Sequence, residues 1–201
     1  MEFECKALNA MDLKALFESE LDRHETALNQ TRQQLATPFT QWVELAISCL
    51  KQDGKIIFFG NGGSASDAQH LATELTVRYV KNRQALAALA LTTDTSSLTA
   101  IGNDFGFEYL FSRQIEALCR PNDLVIGIST SGTSPNVIKA LKAAQKIGAK
   151  TVGMGGRSGG DLPALCDISL IVPHEETARI QEMHITLGHA FCQALENEFG
   201  N

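Results

Sequence analysis

The chain has 201 residues, 44% hydrophobic and 20% charged, with a net charge of -6. That is enough for one globular domain with an added helical arm, and an acidic balance without a Lys/Arg-rich stripe excludes a nucleic-acid footprint. The longest apolar runs, such as "ALAALAL", fall far short of the ~20 residues that cross a bilayer, and "MEFECKALNA" carries acids where a secretory signal needs cations and an apolar stretch.

Residues 1–10 show no periodic apolar face and are expected to be an extension outside the fold. Residues 11–53 read as helix. "LKALFESELDRHETALNQTRQQL" spaces apolar residues at helical intervals on a charged background. "TPFTQWVELAISCLKQDG" then opens on Thr-Pro, a helix-start signal, and closes at Gly54. From there strands and helices alternate. "KIIFF" (55–59) predicts a strand, followed by a glycine turn and a helix from about Ser66 to Val80. "ALAALALT" (85–92) predicts a second strand, with helical stretches from Thr95 to Ile101 and from Phe107 to Cys119. "DLVIGIS" (123–129) is the third strand and 135–147 the next helix. "KTVGMG" (150–155) and "ISLIVP" (168–173) are the fourth and fifth strands, and 176–199 is the last helix.

Continuous apolar strands separated by helices predict a parallel sheet covered on both faces. The expected fold is α/β: a three-layer α/β/α sandwich on a five-stranded parallel sheet. The helical arm at 11–53 and the α/β domain at 54–201 make one folded unit, 11–201. The cysteines Cys5, Cys49, Cys119, Cys166 and Cys192 are odd in number and form no C-x-x-C pair. They predict reduced thiols of a cytoplasmic protein, packed as small hydrophobes.

In a doubly wound sheet, ligands bind beyond the carboxyl ends of the strands. The first such loop, "GNGGSAS", matches G-x-G-x-x-A at Gly60, Gly62 and Ala65. As a dinucleotide fingerprint it needs an acid about 20 residues on, and the nearest candidate, Asp94, comes later. A P-loop is ruled out because no Gly-Lys-Ser/Thr follows. The loop after the third strand, "ISTSGTSPNVIKAL", crowds Ser129, Thr130, Ser131, Thr133 and Ser134 into a turn that opens a helix. Hydroxyls and free N–H groups at a helix N-terminus suit a phosphate monoester. The plainer alternative is a capped helix, with Ser134 as N-cap and Pro135 in the first helical position.

His70 and Glu74 share a helix face at i and i+4, a spacing that lets both reach one metal ion or one substrate atom. The last helix offers Gln181, His184 and His189. Gln181 and His189 are eight residues apart, roughly 12 Å along a straight helix. Spacing therefore does not make them co-ligands without a bend, reaching side chains, or a site assembled between chains. Gly188 is a candidate packing or bending point.

"GNGGSASDAQH", "TAIGNDFGF", "ISTSGTSPNVIKA" and "RIQEMHITLGH" together resemble the bacterial phosphoheptose isomerases of the sugar isomerase (SIS) domain family, from about Met11 to the end. The resemblance implies a flavodoxin-like SIS fold and a cytoplasmic, tetrameric enzyme that binds one zinc ion per subunit. Its implied reaction converts sedoheptulose 7-phosphate to D-glycero-D-manno-heptose 7-phosphate, the first step toward the heptose of lipopolysaccharide core. The family's metal ligands fall on His70, Glu74, Gln181 and His189, and its catalytic pair on Glu74 and His189. Its substrate contacts fall on Asn61, Gly62, Gly63, Glu74, Asn103, Asp104, Ser129, Thr130, Ser131, Ser134 and Gln181. This chain departs from the pattern at Ala178, where some relatives carry an acid.

Such an isomerisation moves a proton from C1 of the ketose to C2 through an enediol, which needs one base near both carbons and an acid for the oxygens. A non-catalytic SIS module that tethers the DnaA initiator, an isomerase of another phosphosugar, and a nucleotide-binding protein are the alternatives. The first of these lacks the Glu and final His present here.

Overall fold

The computed structural model describes residues 12–200. The extension expected at residues 1–10 lies outside them.

Two helices form the arm. α1 (Leu13–Gln34) starts on an Asp12 side-chain cap, and α2 (Ala36–Lys51) follows after one residue. Pro38 falls in the first turn of α2, where a missing N–H removes no helical bond. The α/β unit then runs β1 (Ile56–Gly60), α3 (Gly63–Thr76), β2 (Ala88–Ala90), α4 (Thr95–Asp104), α5 (Ser112–Leu118), β3 (Leu124–Ile128), α6 (Pro135–Ile147), β4 (Lys150–Gly156), α7 (Leu162–Leu165), β5 (Ile168–Val172) and α8 (Thr177–Phe199).

All strand pairs are parallel, in the order β2-β1-β3-β4-β5. This is the expected flavodoxin-like sheet, whose strand order reverses between β1 and β3. Gly60 and Ile128 are register partners at that point. The glycine loop and the serine turn therefore leave the sheet side by side.

Strands buried on both faces need apolar residues at every position. In β1, Ile56 and Phe58 join the core beneath α2, α3 and α8, while Ile57 and Phe59 join the core beneath α5 and α6. The lone tryptophan, Trp42, fastens the arm to the domain by stacking on Phe191 of α8 with ring centroids 3.9 Å apart.

Several boundaries differ from the sequence expectation. The helix expected from Ser66 begins at Gly63, because Gly62 takes φ 57, ψ -122 at the cap position and turns the chain directly into α3. That helix ends at Thr76, short of Val80. The 85–92 run shortens to the three residues of an edge strand, paired among the described residues only with β1. The 107–119 stretch divides into a 3₁₀ turn at Phe107–Tyr109 and α5. The short helix α7 was not expected.

α3 and α8 lie side by side and run in the same direction. Gln181 meets Gly63, Gly188 meets Leu71, and His189 meets His70. Gly188 is a packing point: a Cβ there would lie 2.6 Å from a Leu71 methyl. α8 continues through it.

Candidate active site

The first constellation sits where α3 meets α8. His70 and His189 point their Nε2 atoms at each other, 2.8 Å apart. Glu74 Oε1 is 3.5 Å from His70 Nε2, and its side chain is 19% exposed. The Tyr79 ring lies beside that of His189, with ring centroids 5.9 Å apart. Two residues from one helix and one from its neighbour thus converge at a place open to solvent. Imidazole nitrogens converging beside a carboxylate form a donor set that suits zinc. Among the described residues no group of three or more His, Cys, Asp or Glu side chains is arranged around one point as metal ligands.

Gln181 stands apart from this trio. Its amide lies against Gly63 at the start of α3, so close that a Cβ on Gly63 would fall 1.8 Å from Nε2. His70 follows Gly63 by seven residues, about two helical turns. Gln181 thus faces the glycine loop, and an unbroken α8 keeps it away from His189.

The second constellation is the serine turn. Ser129 Oγ is 2.9 Å from Ser134 Oγ and 3.4 Å from Ser131 Oγ. Ser131 Oγ also accepts hydrogen bonds from the N–H of Thr133 (3.3 Å) and its hydroxyl (3.1 Å). Ser134 occupies the N-cap position of α6 with no side-chain cap bond. The capped-helix alternative is therefore not what the hydroxyls do: they bond to one another around the mouth of the helix. Gly132 makes this turn possible. Its φ is +70, and a Cβ there would strike the carbonyl of Gly159 at 1.9 Å. The loop after β4 also supports the turn, since Asp161 donates its N–H to the Gly132 carbonyl. Thr130 is half-buried in the same turn.

Because Ser134 makes no cap bond, Ser134→Ala should cost less stability than the ~1 kcal/mol typical of a lost N-cap. Urea denaturation measures this; a loss at or above that value would mean the hydroxyl does cap α6.

Asn61 joins the two loops. Its side-chain amide forms a reciprocal pair with Asn136, at 2.9 and 2.8 Å. Asn136 is buried and also accepts from the Val137 N–H. Sequence reasoning missed Asn136, although it stands in the quoted serine motif. It also missed Asp67, one turn before His70, whose Oδ2 is buried without a hydrogen-bond partner among the described residues. Burial pushes the Asp67 carboxyl up to about 6, opposed by His70.

Asn103 and Asp104 lie exposed at the end of α4, where Asn103 donates to Asp104 Oδ1 at 2.7 Å. No contact joins them to either constellation among the described residues. His184 is fully buried, bonds through Nε2 to the Gly155 carbonyl, and is pulled down to about 4 by burial. It is a packed core histidine. Asp94, the acid closest to a dinucleotide fingerprint, caps α4 by accepting from the N–H and hydroxyl of Ser97.

A family model described as SIS domain matches residues 21–156. The phosphoheptose isomerase of Paramagnetospirillum magneticum is 54% identical over 186 residues, covering 92% of this chain and 97% of that one. Phosphoheptose isomerase 1 of Campylobacter jejuni is 52% identical over 184 residues, covering 92% and 98%. Among solved structures, a phosphoheptose isomerase from Neisseria gonorrhoeae matches with a TM-score of 0.87 at 47% identity, covering 92% of this chain and 99% of that one. One from Francisella tularensis matches with a TM-score of 0.90 at 33% identity, covering 93% and 100%.

Proposed function

This chain belongs to the phosphoheptose isomerase family of SIS-domain proteins, and on that premise we propose that it converts sedoheptulose 7-phosphate to D-glycero-D-manno-heptose 7-phosphate through an enediol. The product would feed ADP-heptose formation for lipopolysaccharide core. The observation that carries this reading is a juxtaposition. His70 and Glu74 lie on the helix that follows the Gly60 strand end, where His189 of α8 meets them, and the serine turn follows the adjacent strand end at Ile128.

The roles follow from chemistry. The serine turn and the N-terminus of α6 hold the phosphate. The bare backbone at Gly62 admits the sugar chain, and Gly63 makes room for the Gln181 amide beside it. Glu74 takes the proton from C1 and returns it to C2, while His189, through the ring nitrogen turned away from His70, gives a proton to the C2 oxygen and takes one from the C1 hydroxyl. Asn61, fixed by Asn136, and Gln181, seated on Gly63, line the path between phosphate and reacting carbons.

Zinc belongs to this proposal. His70, Glu74 and His189 would hold it, with Gln181 as the family's fourth ligand. The distance between Gln181 and His189 along α8 favours a centre completed between subunits. A zinc ion there would polarise the substrate carbonyl. Elemental analysis of protein purified without a His-tag should find zinc, and chelation should abolish activity. Protein free of zinc, with activity unchanged after chelation, would contradict the assignment.

A tetramer is proposed on the same footing. Leu13, Phe17 and Leu21 form an exposed apolar stripe on α1, and Val77 and Val80 are exposed beside the site. Such patches support association. The four described cysteines, Cys49, Cys119, Cys166 and Cys192, are unpaired, which supports a cytoplasmic setting. No described helix is long and apolar enough to cross a membrane.

A further inference from the structure

We infer that Arg83 and Glu196, an ion pair buried behind the site, are positioning residues that fix Glu74 and His189 in their working geometry. This rests on the reading of Glu74 and His189 as the catalytic pair.

Both side chains of the pair are fully buried, with Arg83 Nε 3.7 Å from Glu196 Oε1. Their hydrogen bonds lead to the two halves of the site. Arg83 Nη2 donates to the carbonyl of Glu74 at 2.8 Å. Its Nη1 donates to the carbonyls of Leu75 at 2.9 Å and Gln84 at 2.8 Å. Glu74 lies in the last turn of α3, whose carbonyls lack helical partners. Helix ends fray. The guanidinium fork closes two of these carbonyls from one rigid plane, and so holds the turn that carries the base.

Glu196 acts on the other side. Its carboxylate accepts the N–H of Tyr79 at 3.1 Å, of Val80 at 3.0 Å, and of Lys81 at 3.0 Å. This anchors the segment after α3 onto α8. The first residue it fixes, Tyr79, lies against the imidazole of His189. Glu196 and His189 share α8, so the segment is pinned to the helix that presents the histidine.

Stability alone is a poor reason for the pair. Replacing a buried ion pair with apolar side chains is often neutral or stabilising. A site that tolerates little displacement is a better one: a misplacement of about 1 Å can cost about 10²-fold in rate.

The test is Arg83→Lys. Lysine keeps a cation beside Glu196 but cannot close both carbonyls from one plane. Turnover should fall about 10–100-fold, with KM little changed. Combined with Glu74→Gln, it should cause no further loss, because the base it positions is gone; combined with Ser131→Ala, the effects should multiply. Near-normal kcat in folded Arg83→Lys, or a full multiplicative loss on top of Glu74→Gln, would overturn the inference. An inactive Glu74→Gln beside a fully active Arg83→Lys removes only the positioning role. An active Glu74→Gln removes the catalytic reading and this inference with it. Should Arg83→Lys not fold, amide hydrogen exchange on the wild-type protein decides the matter. The amides of residues 79–81 should be as protected as the middle of α8, and rapid exchange there would overturn the role.

Discussion

Glu74→Gln is expected to lower turnover by about 10²–10⁴-fold, the usual contribution of a general base. The change keeps the size of the side chain and an oxygen facing His70, and removes the basic lone pair. Glu74 is suited to the role by position. It sits in the last turn of a helix that begins at the glycine loop, beside two imidazoles, and is partly open to solvent. The proposed double role as base and zinc ligand separates in two assays. If only ligation matters, the loss should follow the zinc content of the variant and recover with added zinc. If the carboxylate moves the proton, the loss should persist in fully metallated protein. A variant with near-normal turnover would remove Glu74 from the mechanism.

Ser131→Ala should raise KM far more than it lowers kcat. The phosphate is remote from C1 and C2 and changes little during reaction, so its contacts are nearly equal in the ground and transition states. A hydrogen bond to a charged group contributes ~1.5–3 kcal/mol, which corresponds to a KM rise of roughly 10–150-fold. Ser131 is the cleanest probe in the turn. Among the described residues its hydroxyl meets only those of Ser129 and Thr133 and the Thr133 N–H, and it carries no helix cap. Inorganic phosphate should compete weakly with substrate in the wild type and lose that effect in the variant. Normal KM with phosphate still competing would leave the turn without a role in binding.

What the sequence made legible was local. The glycine turn, the hydroxyl-rich turn, the α6 boundaries and the five parallel strands all follow from short-range periodicity, Gly/Pro placement and β-rich runs, and the sheet order fits those cues. The His70–Glu74 pair was readable because helical spacing alone brings i and i+4 together. The rest depends on contacts between distant segments. No local pattern says that Asn136 would grip Asn61, or that Arg83 and Glu196 would meet behind Glu74. The parallel packing of α3 on α8 decides that His189 faces His70 while Gln181 faces Gly63. Ser134 illustrates the opposite failure. Its position before Pro135 is that of a capping residue, yet its hydroxyl turns to Ser129. Local cues located the cap position correctly, and the cap bond they offered as the plainer alternative does not form, because the neighbouring hydroxyls compete for Ser134.

The most direct test of proton transfer through an enediol is to run the wild-type protein on sedoheptulose 7-phosphate in D₂O and read the product by NMR. The base is reachable from solvent, so it should exchange its proton with the medium during the lifetime of the intermediate. Proton transfer by Glu74 yields an aldose 7-phosphate carrying deuterium at C2, formed at a rate that collapses in Glu74→Gln. No aldose from the wild type, or an aldose holding only protium at C2 throughout the reaction, would contradict it.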